Sequence, residues 1–283
     1  MRNILNSSYR EEIYSLEKIE SLASLTLIGK PLEKRELKKI IDVDILIILN
    51  DPMTVEKYDK IKEITEKICK KYTTAEIDVL YAIADGPMKP KSFKKQEIFF
   101  HIILHTLSSY KLMPLLLCKN SWQQFEPLKG KAVKEIQSFE GVSKDMLLNS
   151  TLGISSLIEL VEKDSSGYIG WEKQKNSRIM KWKLFPLKFE YPEEKADLYI
   201  YAVLRCASNA IRYLTRDNTV DIGFEMAELF KEMFANLKNK NLPAELLKHK
   251  HLLRNKIYSK DIHELKSKTL EFLNELKEYI ENT

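Results

Sequence analysis

Three aspartates in the first third of the chain sit where their type and spacing could do chemistry. Asp42 and Asp44 open the run Asp-Val-Asp-Ile-Leu-Ile-Ile-Leu, and Asp78 enters a second β-rich apolar run within residues 74–84. In a strand, alternate side chains share a face, which sets Asp42 and Asp44 about 6 to 7 Å apart at about 3.3 Å per residue. Two carboxylates that close repel each other, and burying them beside Ile45, Leu46 and Ile47 is costly unless a cation neutralises them. A hard divalent ion suits such oxygen ligands. Metal-assisted phosphoryl transfer uses this arrangement, with paired ions about 3.5 to 4 Å apart holding the attacking and leaving oxygens. A third carboxylate is then expected on a neighbouring strand, and Asp78 fits. Glu76, two residues earlier on the same face, is its rival, but the apolar run starts directly after Asp78, as it does after Asp44.

The elements that must position these acids follow from the local pattern. A capping-box pattern at Ser8 and Glu11 predicts a first helix ending near Ser21. A strand over 23–28 stops at Gly29, and Pro31 suits the first position of a short helix over 32–40, whose amino end favours phosphate. After the strand carrying Asp42 and Asp44, Asn50-Asp51-Pro52 breaks the chain. Val55, Tyr58, Ile61, Ile64 and Ile68 then mark an amphipathic helix ending in Lys70 and Lys71, a crossover to the strand with Asp78. Asp85 reads as turn chemistry.

A glycine, a spacer, Asp-x-Asp before an apolar strand and a third Asp before another strand resemble the nucleotidyltransferase fold of the DNA polymerase β superfamily. The likeness is greatest to its minimal and antibiotic nucleotidyltransferase branches and covers about residues 22–130. It implies an α+β fold, a nucleotidyltransferase-like mixed β-sheet with packed helices in residues 1–130, followed by a mainly α-helical domain over 131–283 that binds the acceptor or a partner. By the resemblance, Asp42, Asp44 and Asp78 bind two Mg²⁺ ions, and Gly29 with Lys30 engages the nucleoside triphosphate. The reaction implied moves a nucleoside monophosphate from the triphosphate to a hydroxyl or phosphate acceptor of unknown kind, a small molecule, RNA or protein. Lys30 departs from the family's pattern, which has serine or glycine there. A lysine can reach phosphate as a point charge or obstruct it, so the alternative is an inactive nucleotide- or partner-binding protein on the same fold.

Composition narrows the class. With 44% hydrophobic and 31% charged residues, the chain reads as a soluble globular protein, and its net charge of +5 permits an anionic partner without demanding one. Cys69, Cys118 and Cys206 are odd in number and show no Cys-x-x-Cys spacing, which points to a reducing cytoplasm and packed thiols. No apolar stretch approaches 18 residues, so no membrane span is expected.

Other stretches carry weaker signals. His101 and His105 are read as an i, i+4 pair on a helix within 92–110, more often ordinary residues than zinc ligands. Met113 to Cys118 reads as a last strand and residues 122–130 as its returning loop. The run Lys173 to Lys188 has no acid, with Trp182 and Phe185 interleaved, which suits either an RNA contact or a solvated basic surface. In the helix over 196–214, Arg205, Asn209, Arg212 and Arg216 form a polar row read as a solvated face or a phosphate-binding one. His249 and His251 lie among lysines on a cationic helix. The final helix, 261–282, is expected to pack on the bundle or on a twin subunit in a homodimer.

Overall fold

Residues 45–49 are apolar without a break, and so are 98–100 and 102–104. Runs of this kind need cover on both faces, which is the environment of a central strand in a parallel arrangement. The computed structural model describes residues 13–28, 42–75, 77–84, 96–112, 122–138, 141–187, 192–217, 219–254 and 261–283. In it these runs lie at the centre of a five-stranded sheet. β1 (Leu22–Ile28) pairs antiparallel with β2 (Asp42–Leu49), with Leu25 opposite Ile47 and Ile28 opposite Asp44. β3 (Ile77–Ile83) and β4 (Gln96–Thr106) run parallel to β2, and β5 (Pro127–Gly130) closes the far edge beside β1. The order is β3-β4-β2-β1-β5, a mixed sheet in an α+β architecture.

The crossover from β2 to β3 is α1 (Val55–Tyr72). Thr54 starts it, its side chain accepting from the backbone N–H of Lys57 at 3.2 Å, and Lys70 and Lys71 close it where cations suit the helix dipole. Its buried face, Ile61, Ile68, Cys69 and Tyr72, packs on Val43, Ile45, Ile47, Val79, Ile98, Phe100, Ile102 and Leu104. Each such side chain taken fully out of water contributes about 2 kcal/mol, so this layer is the main hold on the sheet. Burial pushes the Cys69 thiol up to about 12, as fits a packed, unreactive cysteine. The other sheet face carries Ser24, Thr26, Asp44, Leu46, Phe99, His101 and Ile103 by strand alternation.

Three expectations need correction. The stretch around His101 is β4, not a helix, and α2 (Leu107–Leu112) follows it. A continuous apolar run does not reveal its period, and two parallel neighbours settle it as a strand. Residues 127–130, expected in a loop, pair with β1. There Gly130 takes φ +84°, and a Cβ would lie 2.2 Å from the Ala23 carbonyl oxygen. Beyond Gly130 the chain is not only helical. Short α3 (Val133–Ile136), α4 (Lys144–Asn149) and α5 (Ile154–Glu162) precede a β-hairpin, β6 (Ser165–Gln174) with β7 (Ser177–Pro186). Ser165-Ser166-Gly167 therefore starts a strand.

The helices after the hairpin are α6 (Pro192–Thr215), α7 (Phe224–Met233), α8 (Leu242–Arg254) and α9 (Ile262–Asn282). α6 is the hub, touching α4, α5, α7, α8 and α9, and α9 buries Leu265, Phe272, Leu273, Leu276 and Ile280 within the bundle. Of the polar row, Asn209 and Arg212 on α6 are buried, whereas Arg216, just past its end, is exposed. Asn209 and Arg212 are 0% and 1% exposed, and the Arg212 Nε donates to the Val220 carbonyl at 3.0 Å, holding the turn that leads to α7. The chain forms two compact units. One comprises Met1–Met113, Trp122–Ser138 and Tyr168–Lys183; the other comprises Pro114–Ser121, Phe139–Gly167 and Leu184–Thr283. The first unit thus takes in hairpin residues from the half expected to be helical. Among the described residues no helix is long and apolar enough to cross a membrane.

Candidate functional site

The acid pair stands at the amino end of β2, where β1 finishes. Ile28 is opposite Asp44 on one side of β2, and His101 is opposite Asp44 on the other. Asp44 follows from its strand: flanked by Val43 and Ile45, which are buried against α1, it faces the other way, and its side chain is 31% exposed. His101 Nδ1 lies 2.8 Å from Asp44 Oδ1, and the imidazole is only 7% exposed. An ionised carboxylate can only accept, so Nδ1 is the nitrogen that carries the proton and donates. Asp42 opens the strand opposite Phe99.

Asp78 is elsewhere. It opens β3 opposite Glu97 of β4, and β4 lies between β3 and β2. Two strand spacings of about 4.8 Å and an offset of four residues put its Cα about 16 Å from that of Asp44. By the same spacings its Cα is about 12 Å from that of Asp42. Asp78 is set apart from the pair by a whole strand, β4, over a stretch expected to be helical. The register puts a different acid nearer to Asp42. Glu97 precedes by two residues the Phe99 that stands opposite Asp42, about 8 Å from Asp42 between Cα atoms by the same spacings. An acid directly ahead of an apolar run, the signal that singled out Asp78, is also present in Gln-Glu-Ile-Phe-Phe, and it could have found Glu97 once the run was taken as a strand.

Gly29, Lys30, the helix expected over 32–40, Glu76, Asp85 and the strand expected at Met113 to Cys118 lie outside the described residues. His105, fully buried on β4, has Ser109 Oγ 3.5 Å from its Nδ1 and meets the Tyr110 ring edge-on. Four residues apart on one strand, His101 and His105 stand about 13 Å apart between Cα atoms. Among the described residues no three His, Cys, Asp or Glu side chains gather into a metal-holding group. The carboxylates at the head of β2 still suit Mg²⁺, which takes only one or two protein carboxylates and completes its shell with water and phosphate oxygens. Asp44 fits because it is exposed enough to accept a hydrated ion and is oriented by a buried hydrogen bond.

No protein-family model matches the chain, and no curated protein matches it. The functional reading therefore rests on the residues and their geometry.

The acid-free run around Trp182 also changes meaning in the fold. It takes in the end of β6 and all of β7, and Glu172 of β6 binds two of its lysines, Lys181 Nζ at 2.8 Å and Lys183 Nζ at 2.9 Å. Hydrogen bonds from those two lysines draw the Glu172 carboxyl down to about 2. Arg178 is occupied as well. Its guanidinium lies over the Tyr58 ring, 3.8 Å from the centroid, and bonds Asp59 at 3.0 Å. Three of the run's cations are thus taken up by neighbouring side chains, while Lys173 and Lys175 are exposed.

Proposed function

We propose that this chain is a divalent-metal-dependent nucleotidyltransferase, moving a nucleoside monophosphate from a triphosphate to a hydroxyl or phosphate acceptor with release of pyrophosphate. The observation that carries the reading is the head of β2. Asp44 there faces away from the α1 layer, beside the end of β1, its side chain 31% exposed and held by His101, and Asp42 opens the same strand. Asp42 and Asp44 are the residues that would hold Mg²⁺, and the ions would neutralise triphosphate charge and activate the acceptor oxygen. The protein's own share is positioning: β2 carries both acids at its head, and Gly29 and Lys30, which follow Ile28 in the chain, are assigned to the phosphates. Glu97 takes the third-acid role first given to Asp78, since its strand adjoins β2.

The test is pyrophosphate release from each of the four nucleoside triphosphates with Mg²⁺ and a mixed acceptor pool. Asp44→Asn should keep the fold, judged by an unchanged melting profile, and lower turnover by at least about 100-fold, the scale of losing one charge-stabilising group. Undiminished release in that variant would overturn the assignment.

The register of Asp78 favours a second reading, a nucleotide binder without turnover, because the pair lacks the third carboxylate where the sequence pattern put it. Calorimetry separates the two. A binder takes up triphosphate and releases no pyrophosphate with any acceptor.

A further inference from the structure

The proposed site contains a residue whose role goes beyond that reading and rests on it. His101 stands directly opposite Asp44 in the parallel register, almost wholly buried, with Nδ1 2.8 Å from Oδ1. A histidine of that burial on a central strand is constrained by its neighbours Phe100 and Ile102, which are themselves 0% and 1% exposed on the opposite face. It cannot swing away without disturbing β4. The hydrogen bond is between neighbouring strands, so its length is set by the sheet itself and not by a mobile loop.

We propose that His101 is the positioning residue for Asp44. It donates Nδ1–H to Oδ1, selects one carboxylate rotamer, and so sets the geometry in which Asp44 meets a divalent cation. A carboxylate free to rotate gives up order on binding a metal, whereas one held by a buried donor has already done so. The role requires a donor at the Nδ1 position and nothing else of the imidazole.

The test uses the full chain and Mn²⁺ as the probe, with free Mn²⁺ read by electron paramagnetic resonance and turnover not needed. His101→Asn places an amide N–H near the Nδ1 position, and His101→Leu fills the space without a donor. Wild type should bind Mn²⁺ in an Asp44-dependent way, His101→Leu should weaken that binding about 10-fold or more, and His101→Asn should stay within about threefold of wild type. His101→Gln, whose amide extends past the Nδ1 position, replaces the leucine variant if that protein does not fold. Equal affinity in all variants, or equal loss in Asn and Leu with intact melting profiles, overturns the positioning role and leaves the nucleotidyltransferase reading standing. Absence of Mn²⁺ binding in wild type, or tight binding retained by Asp44→Asn, removes that reading and the positioning role with it.

Discussion

At the scale of single residues, the strands decide which acids can cooperate. Asp78 and Glu97 are register partners in the β3–β4 ladder, yet only Glu97 is on the strand that adjoins β2. Metal-assisted transfer falls off steeply when a ligand is displaced, so the two acids should behave differently. Glu97→Gln is expected to lower pyrophosphate release by at least about 100-fold and Asp78→Asn by less than about threefold, both read as kcat at saturating triphosphate. The reverse order would return Asp78 to the site. His101 shows how a residue changes meaning with its element. As half of a helical i, i+4 pair it reads more often as an ordinary histidine than as a zinc ligand, whereas in a strand it is the cross-strand neighbour of Asp44.

At the scale of elements, two contacts hold the sheet's periphery. β5 can lie against β1 only because Gly130 has no side chain. Its φ of +84° and the Ala23 carbonyl at 2.2 Å from an added Cβ leave no room for one. Gly130→Ala should destabilise the first unit by about 2 to 3 kcal/mol, measured as a lower urea midpoint with unchanged slope. The hairpin reaches the start of α1 through the Arg178 backbone N–H, which donates to Met53 O at 2.9 Å, and through its guanidinium over Tyr58. Arg178→Ala should cost about 1 to 2 kcal/mol, and Arg178→Lys should recover less than half, because an ammonium lacks the planar stacking surface. Full rescue by lysine would show that charge alone is what matters there.

At the scale of the whole molecule, the second unit has an ionic centre that ties three elements together. Asp164, at φ +45° between α5 and β6, accepts from Lys195 at 2.8 Å, from Lys266 at 3.0 Å and from the Tyr199 hydroxyl, joining the start of α6 and the start of α9 to that turn. Burial raises the Asp164 pKa, but the hydrogen bonds from Lys195, Tyr199 and Lys266 outweigh it and hold the carboxyl below its ordinary 3.8. A group with a depressed folded pKa contributes stability that is complete above the unfolded value and is lost as pH falls through the folded one. Thermal melts should therefore hold steady from neutral pH towards 3.8 and drop below it. Asp164→Asn keeps a residue that tolerates positive φ while removing the charge that Lys195, 5% exposed, meets at 2.8 Å. It should cost about 3 kcal/mol at neutral pH and flatten the acid limb of the melting curve.

Much of this was legible in the sequence because it is local. The acid pair at a strand head, the Thr54 to Tyr72 helix and the last helix follow from alternation, 3.6-residue spacing and capping, which short stretches carry by themselves. The α+β class follows from the same patterns, as does the absence, among the described residues, of a helix long and apolar enough to cross a membrane. What only the tertiary structure decided is non-local. An apolar run such as Ile98 to Leu104 suits either a helix or a strand, and burial between β2 and β3 made it a strand, moving Asp78 one place further from the acid pair and bringing His101 to Asp44. Likewise Glu172, before the acid-free run begins, and Val220, beyond the end of α6, supply the partners of Lys181, Lys183 and Arg212. A charge has no fixed role until its neighbours in space are known, because desolvation and pairing are set by what packs around it.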